Sequence, residues 1–185
     1  MSITTELLTY KDLEQVPDDG LRYEIIDGEL YVAAAPAKPH QRLLGRLYRV
    51  IDDAANAAGA GEVFMAPVDV RFSLHSQVQP DLLFIRRERA GIYRVNTVNE
   101  PPDLVVEILS PSNRSYDEKV KRALYERMGV SELMLADPDA PALHLFVLSG
   151  GRYVPVEPDA DGRLHSTVVP GLVFDPAALL AELHA

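Results

Sequence analysis

An acid inside an apolar strand is the first residue in this sequence that asks for a chemical explanation. Glu107 sits within Leu104-Val105-Val106-Glu107-Ile108-Leu109, and burying an unpaired carboxylate is costly, so it must pair with a cation or hold a metal. A structural salt bridge to a nearby Lys or Arg is the plainer of those two options. Asp81 is comparable: it follows Pro80 and opens the apolar run Leu82-Leu83-Phe84-Ile85. Downstream, Asp117, Lys121 and Tyr125 are spaced by four, which lines acid, amine and phenol along one helix face. On a solvated surface that spacing would mean only a weak Asp–Lys pair beside a packing tyrosine. The short turn Ser110–Arg114, however, should return the start of the helix to the end of the Glu107 strand and bring the amine to the carboxylates. Two carboxylates and a lysine at a sheet edge suit a hard divalent cation, which prefers oxygen ligands. With it, phosphodiester hydrolysis becomes accessible, the ammonium orienting water or offsetting developing charge.

The elements that must position these groups are legible from periodicity. Asp27-Gly28 between two β-rich runs of Arg22–Val32 predicts an N-terminal hairpin. Leu43, Leu44, Leu47, Val50, Ile51, Ala54, Ala55 and Ala58 follow helical spacing, so a long helix is expected from His40 to Ala58, its Arg42, Arg46 and Arg49 on a solvated face. Strands are expected at Glu62–Met65, Val68–Phe72 and Asp81–Ile85, and a central one at Asp103–Leu109, apolar on both faces. Ser115-x-x-Glu118 reads as a capping box opening a helix over Tyr116–Met128, with Gly129 as its stop. Strands at Glu132–Ala136, Ala142–Leu148 and Tyr153–Val156 and a terminal helix near Pro176–His184 complete the pattern. The expected architecture is α/β, a sheet with helices on its faces.

Composition sets outer bounds. The 185 residues are 47% hydrophobic and 25% charged, the balance of an ordered globular chain, and no repeat or linker marks a boundary, so one domain spanning 1–185 is expected. Cysteine is absent, which excludes disulfides, thiolate metal sites and a cysteine nucleophile. No apolar run reaches the ~20 residues of a membrane span, and Met1–Glu6 lacks the features of a signal peptide, so a cytoplasmic setting is expected. The net charge of −10 argues against a polyanionic partner, but it is unevenly spread. Residues 31–131 carry 14 Lys/Arg against 12 Asp/Glu, whereas 1–30 and 132–185 each carry 2 against 8. Charge therefore leaves the partner open. The five histidines show no zinc spacing, and Gly-rich phosphate loops and nucleophile elbows are absent.

The combination of Pro80-Asp81, Glu107-Ile108-Leu109 and Asp117-x-x-x-Lys121-x-x-x-Tyr125 resembles the PD-(D/E)xK nuclease superfamily, and more closely its Uma-two family of restriction-endonuclease-like proteins. Tyr23 to Leu30, Pro39-His40-Gln41, Pro67 to Val70, Pro102 to Ser112 and Gly129 to Pro138 match as well, so the resemblance covers roughly residues 20–150. It implies a mixed sheet of about five strands flanked by helices, a Mg²⁺ (or Mn²⁺) site, a DNA substrate and a homodimer. Carried over by position, Asp81 and Glu107 would be metal ligands, the Ile108 carbonyl a further ligand and Lys121 the catalytic amine, with Glu24, His40, Asp117 and Tyr125 supporting. The superfamily's lysine two residues after the glutamate is here Leu109. The amine is therefore expected on the following helix, at Lys121 and not Lys119, which lies about 200° away around the helix. Asp103 competes with Asp81 for the metal but lies about 13 Å from Glu107 along one strand, and is expected at the surface. Arg42, Arg46, Arg86, Arg87, Arg89, Arg114 and Arg122 are the candidate phosphate contacts. Two other function classes stay in view: a noncatalytic dimeric interaction protein that keeps the fold, favoured by the charge and by Leu109, and a metal-dependent hydrolase of a small phosphorylated molecule.

Overall fold

A hairpin opens the chain where Asp-Gly predicts one. The computed structural model describes residues 7–33, 35–111 and 114–185; the reading of Met1–Glu6 and the Ser112 of the Ser-Pro-Ser stretch lie outside them. Strands β1 (Arg22–Ile26) and β2 (Glu29–Ala33) are antiparallel, and the turn residues Asp27 and Gly28 both take positive φ, 53° and 83°, the backbone a two-residue hairpin of this hand requires. Helix α1 runs Lys38–Ala58, two residues earlier than its apolar periodicity begins, because Pro39 suits the first turn.

Next come β3 (Gly61–Met65), β4 (Asp69–Ser73), β5 (Ser76–Val78), β6 (Leu82–Arg86), β7 (Tyr93–Arg94), β8 (Thr97–Val98) and β9 (Leu104–Ile108). A helical stretch follows, then β10 (Glu132–Asp137), β11 (Ala142–Ser149), β12 (Arg152–Pro155), β13 (Leu164–His165) and β14 (Val173–Phe174). The last helix stops at Leu180 (Pro176–Leu180), short of the expected His184. Among the described residues, in place of one sheet of about five strands there are two of six, ordered β2-β1-β5-β4-β8-β7 and β12-β11-β10-β9-β6-β3, with β13-β14 a separate pair. The short strands β5, β7 and β8 carry too few residues for a periodicity to reveal them. The class is as expected, mixed α/β with helices on a multi-stranded sheet.

The second sheet is buried on both faces, which is why β6, β9 and β10 read as continuous apolar runs. One face, through Leu82, Phe84, Leu104, Val106 and Met134, packs on Leu43, Leu47, Ile51 and Ala55 of α1. The other, through Leu83, Ile85, Val105, Leu133 and Leu135, packs on the first sheet (Ile26, Val70, Val78) and on Leu124 and Tyr125. Antiparallel β6 and β9 pair Leu83 with Val105 and Leu82 with Val106; continuing that register sets Asp81 opposite Glu107.

The helical stretch after β9 departs from its sequence reading. Tyr116–Lys121 forms a π-helical turn that runs into α2 (Arg122–Met128). Ser115 is already helical and its side chain makes no cap hydrogen bond, so the capping box does not form; Glu118 lies instead 3.5 Å from Arg114. Among the described residues no helix is long and apolar enough to cross a membrane.

Candidate active site

Five elements deliver ionisable side chains to one recess. β1 supplies Arg22 and Glu24, the first turn of α1 supplies His40, the facing ends of β6 and β9 supply Asp81 and Glu107, and the π-helical turn supplies Asp117 and Lys121; together they line a cavity of about 250 Å³. The wider turn puts Asp117 and Lys121 inward, at 5% and 2% exposure, while Lys119 is exposed. A π-turn inside a helix is a frequent mark of a functional site.

Asp81 is the hub on one side. Its Oδ2 accepts the Ile108 N–H at 2.8 Å and lies 3.1 Å from His40 Nε2, and its Oδ1 accepts from Arg22 at 3.1 Å. Burial alone would raise this carboxyl, but the His40 contact, the Arg22 guanidinium and the Ile108 N–H outweigh it and hold Asp81 down at about 2. Because Asp81 is ionised it can only accept, so His40 Nε2 is the donor, and His40 Nδ1 is left buried without a partner.

Lys121 is the hub on the other. Its ammonium lies 2.9 Å from Glu24, 3.1 Å from Glu107 and 3.8 Å from Asp117. Burial pulls this lysine down, yet Glu107, Glu24 and Asp117 more than offset it, and the net displacement is upward. Glu107 Oε1 also accepts a short hydrogen bond from the Tyr125 hydroxyl. Burial pushes the Glu107 carboxyl up against the pull of Lys121, and Asp117, Asp81 and Glu24 add their repulsion. Asp117 is displaced upward likewise, by burial first and partly relieved by Lys121. Tyr116, which donates to Glu24 Oε2 at 3.0 Å, is pushed up by burial and by that carboxylate.

All the sequence-expected residues Glu24, His40, Asp81, Glu107, Asp117, Lys121 and Tyr125 are thus brought together. Leu109 is buried in the core on the Glu107 face, and the amine arrives from the neighbouring helical turn. Arg22 and Tyr116 were missed; Arg22 had a signal, since it lies two residues before Glu24 on the same strand face. Asp103 is a correction. It is buried, accepting from the Arg86 N–H at 3.0 Å and from Arg89 at 2.9 Å, because that end of β9 is covered by the turn after β6.

The candidate phosphate contacts need correcting too. Arg42 and Arg46 are partly exposed but engaged: they donate to the carbonyls of Glu182, Leu183, Ala185 and of Leu179, Ala181. Arg86 and Arg89 face Asp103, Arg114 pairs with Asp137, and Arg122 lies 4.2 Å over the Phe146 ring. Arg87 lines a different recess, beside Tyr93. None of the seven lines the acid-rich cavity.

The donor set fits a hard divalent cation chemically. Among the described residues, carboxylate oxygens dominate its possible ligands, and four acids face two cations, an excess of negative charge that a bound cation would offset. It is not a preformed cage, since the described residues hold no group of three or more His, Asp or Glu side chains arranged around an ion position. That is compatible with Mg²⁺, which commonly takes one or two carboxylates and keeps its waters.

The comparison with curated proteins returns no match. Among solved structures the chain is similar to one titled a "putative nuclease belonging to DUF820" from Anabaena variabilis ATCC 29413, at 19% identity, with a TM-score of 0.79 over 95% of this chain and 99% of that one. At that identity the likeness establishes the fold. The model of the Uma2 family, described as "Putative restriction endonuclease", matches residues 9–178, nearly the whole chain, and the protein therefore belongs to the Uma2 family.

Proposed function

We propose that this protein is a metal-dependent endonuclease that hydrolyses phosphodiester bonds in DNA. The observation that carries the reading is the convergence of Asp81 and Glu107, on facing strands, with an ammonium 3.1 Å from Glu107 in one water-accessible recess. In this reading Asp81, Glu107 and the Ile108 carbonyl would hold Mg²⁺ (or Mn²⁺), which when bound polarises a phosphoryl oxygen and acidifies water. Lys121, kept protonated by three carboxylates, is no base; it offsets the negative charge that builds on the phosphoryl oxygens as water attacks and the leaving oxygen departs. Glu24 and Asp117 hold that ammonium in place. Tyr125 orients Glu107 through its hydroxyl, and His40 with Arg22 orients Asp81. A single domain, a cytoplasmic setting and a homodimer belong to the same reading, the last checked by light scattering of the purified chain.

A specific observation favours a second reading, a noncatalytic dimeric interaction protein. Lys121 is already matched by three carboxylates, which a purely structural ion-pair network would also show. The deciding experiment is cleavage of plasmid, single-stranded DNA and RNA with Mg²⁺, Mn²⁺ or EDTA, with Glu107→Ala in parallel. Metal-dependent cutting lost in Glu107→Ala is the expected result. Equal activity in both proteins, or none in either, would move the assignment to the interaction protein.

A further inference from the structure

We propose that the substrate enters this site as a single unpaired strand, one base stacking on Tyr31 at the mouth of the cavity, and that an intact duplex is excluded. The inference rests on the nuclease reading and names the substrate form that the site admits.

Depth is the first observation. Asp81, Glu107 and Lys121 are only 3%, 1% and 2% exposed, at the base of a cavity of about 250 Å³. A duplex is a stiff rod, with a persistence length of about 50 nm, and cannot lower one phosphate into such a recess without bending or unpairing. A single strand rotates freely about its backbone and can.

Charge is the second. A protein that grips a duplex does so through several phosphate contacts, and here the arginines that would make them are turned elsewhere: to backbone carbonyls (Arg42, Arg46), to Asp103 (Arg86, Arg89), to Asp137 (Arg114) and onto Phe146 (Arg122). Among the described residues the cations lining the cavity are Arg22 and Lys121, both already paired with the acids around them, which leaves room for one or two phosphate contacts at most.

Stacking is the third. Tyr31 lies two residues before Ala33 on β2, so both point to one side of the sheet, and Ala33 lines the cavity. The Tyr31 ring is stacked on Tyr116, centroids 4.4 Å apart at 25°, and Tyr116 also lines the cavity. Both rings are anchored by their hydroxyls, Tyr31 on Glu29 at 2.9 Å and Tyr116 on Glu24 at 3.0 Å, while Tyr31 stays half-exposed. A partly exposed aromatic pair beside a deep recess is the kind of stacking platform on which proteins hold single strands without reading sequence.

The test is fluorescence anisotropy of the full chain in EDTA with a labelled 12-nucleotide DNA, the same sequence as RNA, and the blunt DNA duplex, alongside cleavage of all three in Mg²⁺. Either single strand, DNA or RNA, should bind at least about tenfold tighter than the duplex, with log K falling against log salt at a slope of about −0.7 to −1.4, one or two phosphates. Tyr31→Ala should weaken strand binding about 5- to 100-fold, and Tyr31→Phe should restore it, because the ring and not the hydroxyl stacks. Equal or tighter duplex binding, a slope of about −4 or steeper, or an inert Tyr31→Ala would overturn the proposal. Duplex cut faster than single strand would overturn it and leave the nuclease standing. Selective strand binding with no cleavage of any substrate would uphold strand entry and overturn the nuclease reading, and neither binding nor cleavage would overturn both.

Discussion

Lys121 is the side chain whose removal leaves the most charge behind. Three carboxylates face its ammonium within 4 Å, all in the interior, and breaking a buried ion pair from one side costs about 3–5 kcal/mol because the partner charge is stranded. Lys121→Met should therefore lose stability on that scale in urea unfolding, besides losing the cleavage proposed above. Adding Glu107→Gln to it should return part of the loss, since one stranded charge is then gone. A single variant within about 1 kcal/mol of the parent would show that the acids are hydrated or protonated at no cost. His40 differs: its Nε2 lies 3.1 Å from Asp81, and its Nδ1 is buried without a hydrogen-bond partner.

At the scale of elements, the site depends on β6 and β9 keeping their register, and β6 is held on its outer side by the edge strand β3. Gly61 begins that strand where the backbones nearly touch: a Cβ there would stand 2.1 Å from the Ile85 carbonyl oxygen. Gly61→Ala should cost about 3 kcal/mol, the upper end for overpacking, visible as a lowered urea midpoint. A neutral outcome would mean that β3 can peel away without disturbing the sheet. The helix after β9 shows where local signals fail. Ser115-x-x-Glu118 satisfies a capping rule in sequence, but Glu118 meets Arg114 and the chain widens into a π-turn in which Asp117 and Lys121 are both buried. Four-residue spacing put Asp117, Lys121 and Tyr125 on one face correctly; it could not reveal the π-turn.

For the whole molecule, the net charge of −10 is less informative than where the arginines go. Several tie segments distant in sequence, and the Arg114–Asp137 pair links the turn before α2 to the end of β10. Burial works to raise Asp137, but its Arg114 contact and the N–H groups of Ala140 and Asp139 prevail, and its pKa lies below the ordinary carboxylate value. A folded pKa below the unfolded one, about 3.9, means a contribution present above that value and lost as the pH falls through the folded one. Asp137→Asn should therefore be less stable than the parent at pH 7 and lose less stability between pH 5 and 3. Urea midpoints over that range check it; parallel curves for the two proteins would count against the pair.

The sequence by itself determined the elements with long periodicities and the identities of the chemical groups. The hairpin follows from Asp27-Gly28 between β-rich runs, α1 from its apolar stripe, and the doubly buried strands from runs without polar alternation, because these are local consequences of side-chain spacing. Glu107 and Asp81 stood out since acids in such runs need partners wherever they fold. Tertiary structure decided which partners. It gave Asp103 to Arg86 and Arg89, withdrew the candidate arginines from the cavity and added Arg22 and Tyr116 to it, choices made by contacts tens of residues apart that no local pattern encodes. It also set the pairing of Asp81 with Glu107, which depends on one register between β6 and β9, and a slip of a single residue would have turned the two acids to opposite faces.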